Sequence, residues 1–90
     1  MSDDKDAIIR RLSRIEGQVR GIARMIEADR YCIEVLQQVQ ATKAALERVE
    51  DVVLKAHTQT CVQAAIESGD ADEQREKFNE LVELFARVKR

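Results

Sequence analysis

Residues 29–69 read DRYCIEVLQQVQATKAALERVEDVVLKAHTQTCVQAAIESG. No proline occurs in the stretch, and its only glycine is the last residue, Gly69. Alanine, leucine, glutamate, glutamine, lysine and arginine, which lose little side-chain freedom in a helix, recur throughout. Tyr31, Val35, Val39, Thr42, Leu46, Val49, Val53 and Ala56 follow one another at spacings of three and four, so they share one face of a continuous helix. The pattern predicts a helix over 30–68, with Asp29 as its N-cap and Gly69 as the C′ residue that ends it. Cys32 then falls at N3, in the first turn, where the helix dipole favours negative charge.

A helix is expected on either side. Ile8, Leu12, Ile15, Val19, Ile22 and Ile26 form an amphipathic stripe that predicts a first helix over about 4–27. Gly17 and Gly21 lie within it, and each costs ~1 kcal/mol against alanine. Close packing of another backbone is the reason expected for them. After Gly69, Asp70 and Glu73 have the spacing of a capping box for a third helix over 71–88. Its apolar positions are Phe78, Leu81, Val82, Leu84, Phe85 and Val88, and the basic ending Arg87-Val88-Lys89-Arg90 suits a helix C-terminus. The expected architecture is all-α: one domain over 1–90, with three helices and an unusually long middle one.

Composition bounds the function. Ninety residues make one domain or less. No apolar run approaches membrane-spanning length and no signal-peptide pattern opens the chain, so a soluble, cytoplasmic protein with no membrane partner is expected. In that setting two cysteines are metal or redox thiols sooner than a disulfide. The net charge is −2, yet residues 5–24 carry Lys5, Arg10, Arg11, Arg14, Arg20 and Arg24 against Asp6 and Glu16, a local excess of +4. Such a stripe can meet phosphates; an ordinary solvated helix face explains it equally well from composition alone.

Cys32, Cys61 and His57 are the only two cysteines and the only histidine. His57 and Cys61 stand at i and i+4, on one helix face. Cys32 precedes His57 by 25 positions, roughly 37 Å along one straight helix, whereas metal–ligand bonds are about 2.0–2.3 Å. Nothing in the sequence breaks the helix between them, so the three side chains can share a metal only across two chains. Antiparallel pairing of two copies sets Cys32 of one against His57 and Cys61 of the other, with two equal sites by symmetry. The pairing centre falls near residue 45, where Ala41, Ala44 and Ala45 permit close approach. Two such hairpins make an antiparallel four-helix bundle. Two thiolates and an imidazole suit three-coordinate Cu(I), while zinc would want a fourth ligand and nickel more nitrogen or oxygen donors. Either cysteine alone would read as a small core residue; the spaced pair with the third thiol favours ligation.

The chain resembles the CsoR/RcnR family of metal-responsive transcriptional repressors, in particular its copper-sensing branch. The resemblance rests on RLSRIEGQVRGI (11–22), Met25-Ile26-Glu27, Tyr31-Cys32, Leu46-Glu47-Arg48 and HTQTC (57–61), and extends to the segment around Glu80. It implies a dimer that assembles into a homotetramer, a dimer of dimers, with the short third helix appended to the bundle. It implies a metal-free form that binds operator DNA as a repressor, released by Cu(I) to derepress copper-resistance genes. It assigns the metal to Cys32 of one chain with His57 and Cys61 of the partner, and outer contacts to Tyr31 and Glu80, which hold the free imidazole nitrogen. Glu76 and Glu83 are alternatives to Glu80, because the segment after Gly69 is a few residues longer than in the family pattern. It places DNA-contacting arginines at Arg11 and Arg48, a surface that Arg10, Arg14 and Lys43 can extend.

Departures within the family favour copper. Nickel and cobalt sensors of this family carry an N-terminal histidine and a histidine in place of Cys61, and this chain has neither. The sulfur-sensing branch lacks the histidine found here at 57. Two alternatives stay open: a thiol or persulfide sensor that crosslinks Cys32 to Cys61 between chains, and a copper-buffering protein that never touches DNA. An enzyme is not expected, since a bundle this small offers no substrate cleft and no general base beside the histidine.

Overall fold

A computed structural model describes residues 2–88, which form three helices and no strand: α1 (Ser2–Glu27), α2 (Cys32–Ser68) and α3 (Ala71–Val88). The all-α architecture expected from the periodicity is present, and α2 runs unbroken through 37 residues. Among the described residues no helix is long and apolar enough to cross a membrane. Lys89 and Arg90, expected to favour the end of the third helix, lie outside the described residues.

The junction between α1 and α2 differs from the expectation. Asp29 does not cap α2; it terminates α1. Its φ is +54°, its N–H donates to the Ile26 carbonyl at 3.1 Å, and the Arg30 N–H donates to the Met25 carbonyl at 2.9 Å. These are the two bonds of a Schellman ending with Asp29 at C′. A left-handed residue is needed there and no glycine is at hand; aspartate tolerates that conformation better than its neighbours. The N-cap position passes to Tyr31, whose carbonyl accepts the Val35 N–H at 3.2 Å. Cys32 is therefore the first helical residue, N1 rather than N3, and still within the first turn.

The second junction follows the expectation more closely. Gly69 has a φ of +66°. The Asp70 carboxylate accepts the N–H groups of Asp72 at 2.9 Å and Glu73 at 3.4 Å, a cap worth ~1 kcal/mol. The reciprocal half of the capping box is replaced, because the Asp70 N–H donates to the Ser68 hydroxyl at 3.2 Å.

The chain divides into two compact units, residues 2–52 and residues 53–88. In the first, α1 and the start of α2 form a hairpin on a core of Ile8, Ile15 and Val49, with Ala45 and Val52 packed against it. Leu12, Val19 and Ile26 of the expected stripe stay exposed. A Cβ at Gly17 would meet only the Arg20 guanidinium, at 4.0 Å, and one at Gly21 would meet nothing within 4 Å. The close approach expected at these glycines does not occur within the chain.

In the second unit the latter part of α2 pairs with α3. The Gln74 amide donates to the Ala65 carbonyl at 3.1 Å. Leu54, Ala56 and Ala65 are buried, but α3 buries none of its own side chains. Phe78 is 65% exposed, Val82 53% and Phe85 42%.

Candidate functional site

The metal-ligand candidates divide between the two units. His57 and Cys61 sit one turn apart on α2 in the second unit, so their side chains leave the same helix face. His57 is exposed and Cys61 half-buried. Cys32 opens α2 in the first unit and is exposed. Both cysteines are free. Among the described residues no three His, Cys, Asp or Glu side chains converge within the chain. The donors themselves suit a soft metal: two accessible thiols and one accessible imidazole, with no fourth histidine or cysteine to complete a closed tetrahedral set.

The expected outer contacts have other roles within the chain. Tyr31 is 68% exposed at the start of α2. Glu80 pairs with Lys77 at 3.4 Å. The hydrogen bond from Lys77 to Glu80, together with the Glu80 charge, raises the Lys77 pKa above its ordinary value, and Cys61 acts in the same direction more weakly. Lys77 thus stands within electrostatic reach of the Cys61 sulfur. Sequence reasoning did not single it out; its i, i+3 spacing to Glu80 was the available signal.

The basic residues resolve into two groups. Arg11, Arg14 and Gln18 of α1 and Arg48 of α2 line a cavity of about 160 Å³ floored by Ile15 and Ala45, all within the first unit. Residues 11, 14, 15 and 18 have helical spacing, so they form one face; the buried Ile15 turns that face toward α2. No carboxylate pairs with Arg11, Arg14 or Arg48 among the described residues, whereas Arg20 is held by Glu16 at 2.6 Å and Arg30 by Glu34 at 2.8 Å. Arg10 and Lys43 are exposed and lie outside the lining. Gln18 is the lining residue that sequence reasoning missed, although its four-residue spacing from Arg14 on the basic stripe could have found it.

Three helices, a His-x₃-Cys pair with an exposed imidazole and a half-buried thiol, and an unpaired arginine cluster make a small helical protein with candidate soft-metal ligands. Comparison with known proteins gives the family. Residues 4–87 match the model of the metal-sensitive transcriptional repressors, and the chain belongs to that family. It is 46% identical over 84 residues to the copper-sensing transcriptional repressor CsoR of Bacillus subtilis, covering 93% of this chain and 80% of that protein. The crystal structure of the copper-sensing repressor CsoR with Cu(I) from Geobacillus thermodenitrificans superposes with a TM-score of 0.83 at 37% identity, covering all of this chain and 91% of the other. The nickel-responsive transcriptional regulator InrS superposes at 0.75 with 36% identity, covering 89% of this chain and 90% of the other. Copper and nickel responders of the family share this backbone, so the chemistry of the candidate ligands bears on the metal beside the likeness to copper-sensing relatives.

Proposed function

We propose that the chain is a Cu(I)-responsive transcriptional repressor, that its whole length acts as one sensing domain, and that Cu(I) is held between two copies of it. The observation that carries the metal assignment is the donor set, Cys32, His57 and Cys61: two thiols and one imidazole. The likeness to copper-sensing repressors supports the same metal. Soft thiolates select Cu(I). The unbroken α2 and the lack of a convergent ligand cluster among the described residues favour a site shared between chains. The exposed Leu12, Val19, Phe78, Val82 and Phe85 supply apolar surface for assembly into a dimer and then a tetramer. Arg11, Arg14 and Arg48 supply unpaired cations for operator DNA. Cu(I) releases that DNA, and Glu80 leaves Lys77 to hold the free imidazole nitrogen of His57.

The test uses the duplex that the metal-free protein selects from a random pool. Added Cu(I), under anaerobic reducing conditions, should weaken its binding. In His57→Ala two thiolates still hold Cu(I), so copper affinity falls less than in either cysteine variant. The variant should nevertheless stay on the duplex when copper is added, because the link from imidazole to α3 is gone. Anisotropy of the labelled duplex against Cu(I) reads both. Normal release by His57→Ala would remove the histidine from the coupling.

A further inference from the structure

We propose that Lys77 is the counter-charge of the copper centre: its ammonium, carried on α3 to the Cys61 side of α2, offsets the negative charge that bound Cu(I) leaves on its two thiolates. The inference rests on the copper reading and deepens it, because it adds a residue that sets metal affinity without touching the metal.

The charge of the centre creates the need. Two thiolates, a neutral imidazole and Cu(I) together carry one unit of net negative charge. Cys61 is half-buried, so part of that charge lies out of water and gains from a nearby cation. The other cations of the second unit are placed elsewhere. Lys55 lies six residues before Cys61, roughly 240° round the helix, and leaves a different face of α2. Arg75 is exposed and outside the lining of the groove between α2 and α3. Arg87 is in the last turn of α3.

Lys77 is in that lining, with Val62, Ala65, Ile66, Gln74, Phe78 and Leu81, all within the second unit. Ala65 stands one turn after Cys61 and so shares its face of α2; it is buried. The Gln74 amide, one turn before Lys77, donates to the Ala65 carbonyl at 3.1 Å and holds this stretch of α3 beside that face. The Lys77 side chain is 38% exposed, where the paired Arg20 and Arg30 are 58% and 56% exposed. Its aliphatic stem lies along the apolar groove and its charged end stays at the edge. Cys61 acts on the ammonium after Glu80, and in the same direction.

Glu80 is the resting partner of Lys77, at 3.4 Å. Two roles for the lysine therefore predict opposite signs. A lysine that merely restrains Glu80 would oppose copper, and its loss would tighten Cu(I) binding. A counter-charge favours copper, and its loss weakens binding. An exposed i, i+3 ion pair contributes little, whereas loading adds a negative charge that Lys77 attracts whether or not Glu80 stays. The second sign is the one expected.

The test is Cu(I) affinity of the full chain, by competition with a chelator under anaerobic reducing conditions, at low and at high salt. Lys77→Gln should weaken Cu(I) about threefold to tenfold, the order for one charge several ångströms away near a surface. Lys77→Glu should weaken it further, and Lys77→Arg should stay within about twofold of wild type. The deficit of Lys77→Gln should shrink as salt rises, because screening removes a charge effect and leaves a packing effect in place. Arg75→Gln should change affinity by about twofold or less. Circular dichroism checks that every variant keeps the wild-type helix content. If wild type binds Cu(I) tightly but Lys77→Gln binds it equally or more tightly, the counter-charge is overturned and the copper reading stands. The same holds if Lys77→Glu is no weaker than Lys77→Gln, or if Arg75→Gln costs as much. If wild type itself takes up no tight Cu(I), both fall.

Discussion

Chains carrying Cys32→Ala and chains carrying Cys61→Ala should each lose tight Cu(I) binding, and mixing them should restore it. In a mixed dimer the wild-type Cys32 of one chain faces the intact His57 and Cys61 of the other, while the second site lacks both thiols. Random exchange makes half the dimers mixed, so the mixture should bind about one Cu(I) per four chains. Losing one thiolate removes a soft anionic ligand, and the expected fall in affinity is about a thousandfold or more, ~4 kcal/mol. Copper competition with a chelator of known affinity measures both the loss and the rescue. A mixture that stays as weak as its components would show that each chain builds its own site, which an unbroken α2 from Cys32 to Ser68 does not allow.

Removing either of two arginines should strike the DNA without touching the metal. Arg11→Ala and Arg48→Ala each delete a guanidinium from the cavity, and each should weaken the selected duplex. The dependence of log affinity on log salt should flatten by about one unit per lost phosphate contact. Copper affinity of the free protein should stay nearly unchanged, because neither residue is a ligand. No helix-turn-helix motif stands out in the sequence, so phosphate contacts and DNA shape should carry more of the binding than base-edge hydrogen bonds. Base substitutions in the duplex should then cost less than the loss of either arginine.

What could be read in the sequence followed from how local its causes are. Three helices were legible because breakers are few and well placed: Gly69 and Asp70 act within four residues of themselves, and the spacing of Ile8, Leu12 and Ile15 along α1 is a local pattern. The ligand candidates were legible because cysteine and histidine are so rare here that their positions stand out. Asp29 was misread because two helix ends compete for it. A residue of N-cap type was available, but ending α1 required a left-handed residue and aspartate took that position, with Tyr31 left to open α2. The cavity was illegible for a different reason. Arg48 meets Arg11, Arg14 and Gln18 only through the register of the hairpin, which the turn at 28–31 and the packing of Ile15 on Ala45 determine together. The exposure of Phe78, Val82 and Phe85 was hidden as well, since an apolar stripe in a sequence does not say whether its partner is the same chain or another.

The central claim is that Cu(I) and DNA compete through one protein, and the most direct measurement is affinity for the selected duplex over a range of salt, with and without one Cu(I) per chain. Metal-free protein should bind tightly with a steep salt dependence, and Cu(I) should weaken it by a factor that duplex DNA returns on Cu(I) affinity, since the coupling is reciprocal. Duplex affinity that is the same with and without copper, or no specific duplex at all, would contradict the repressor reading and leave a copper-buffering protein in its place.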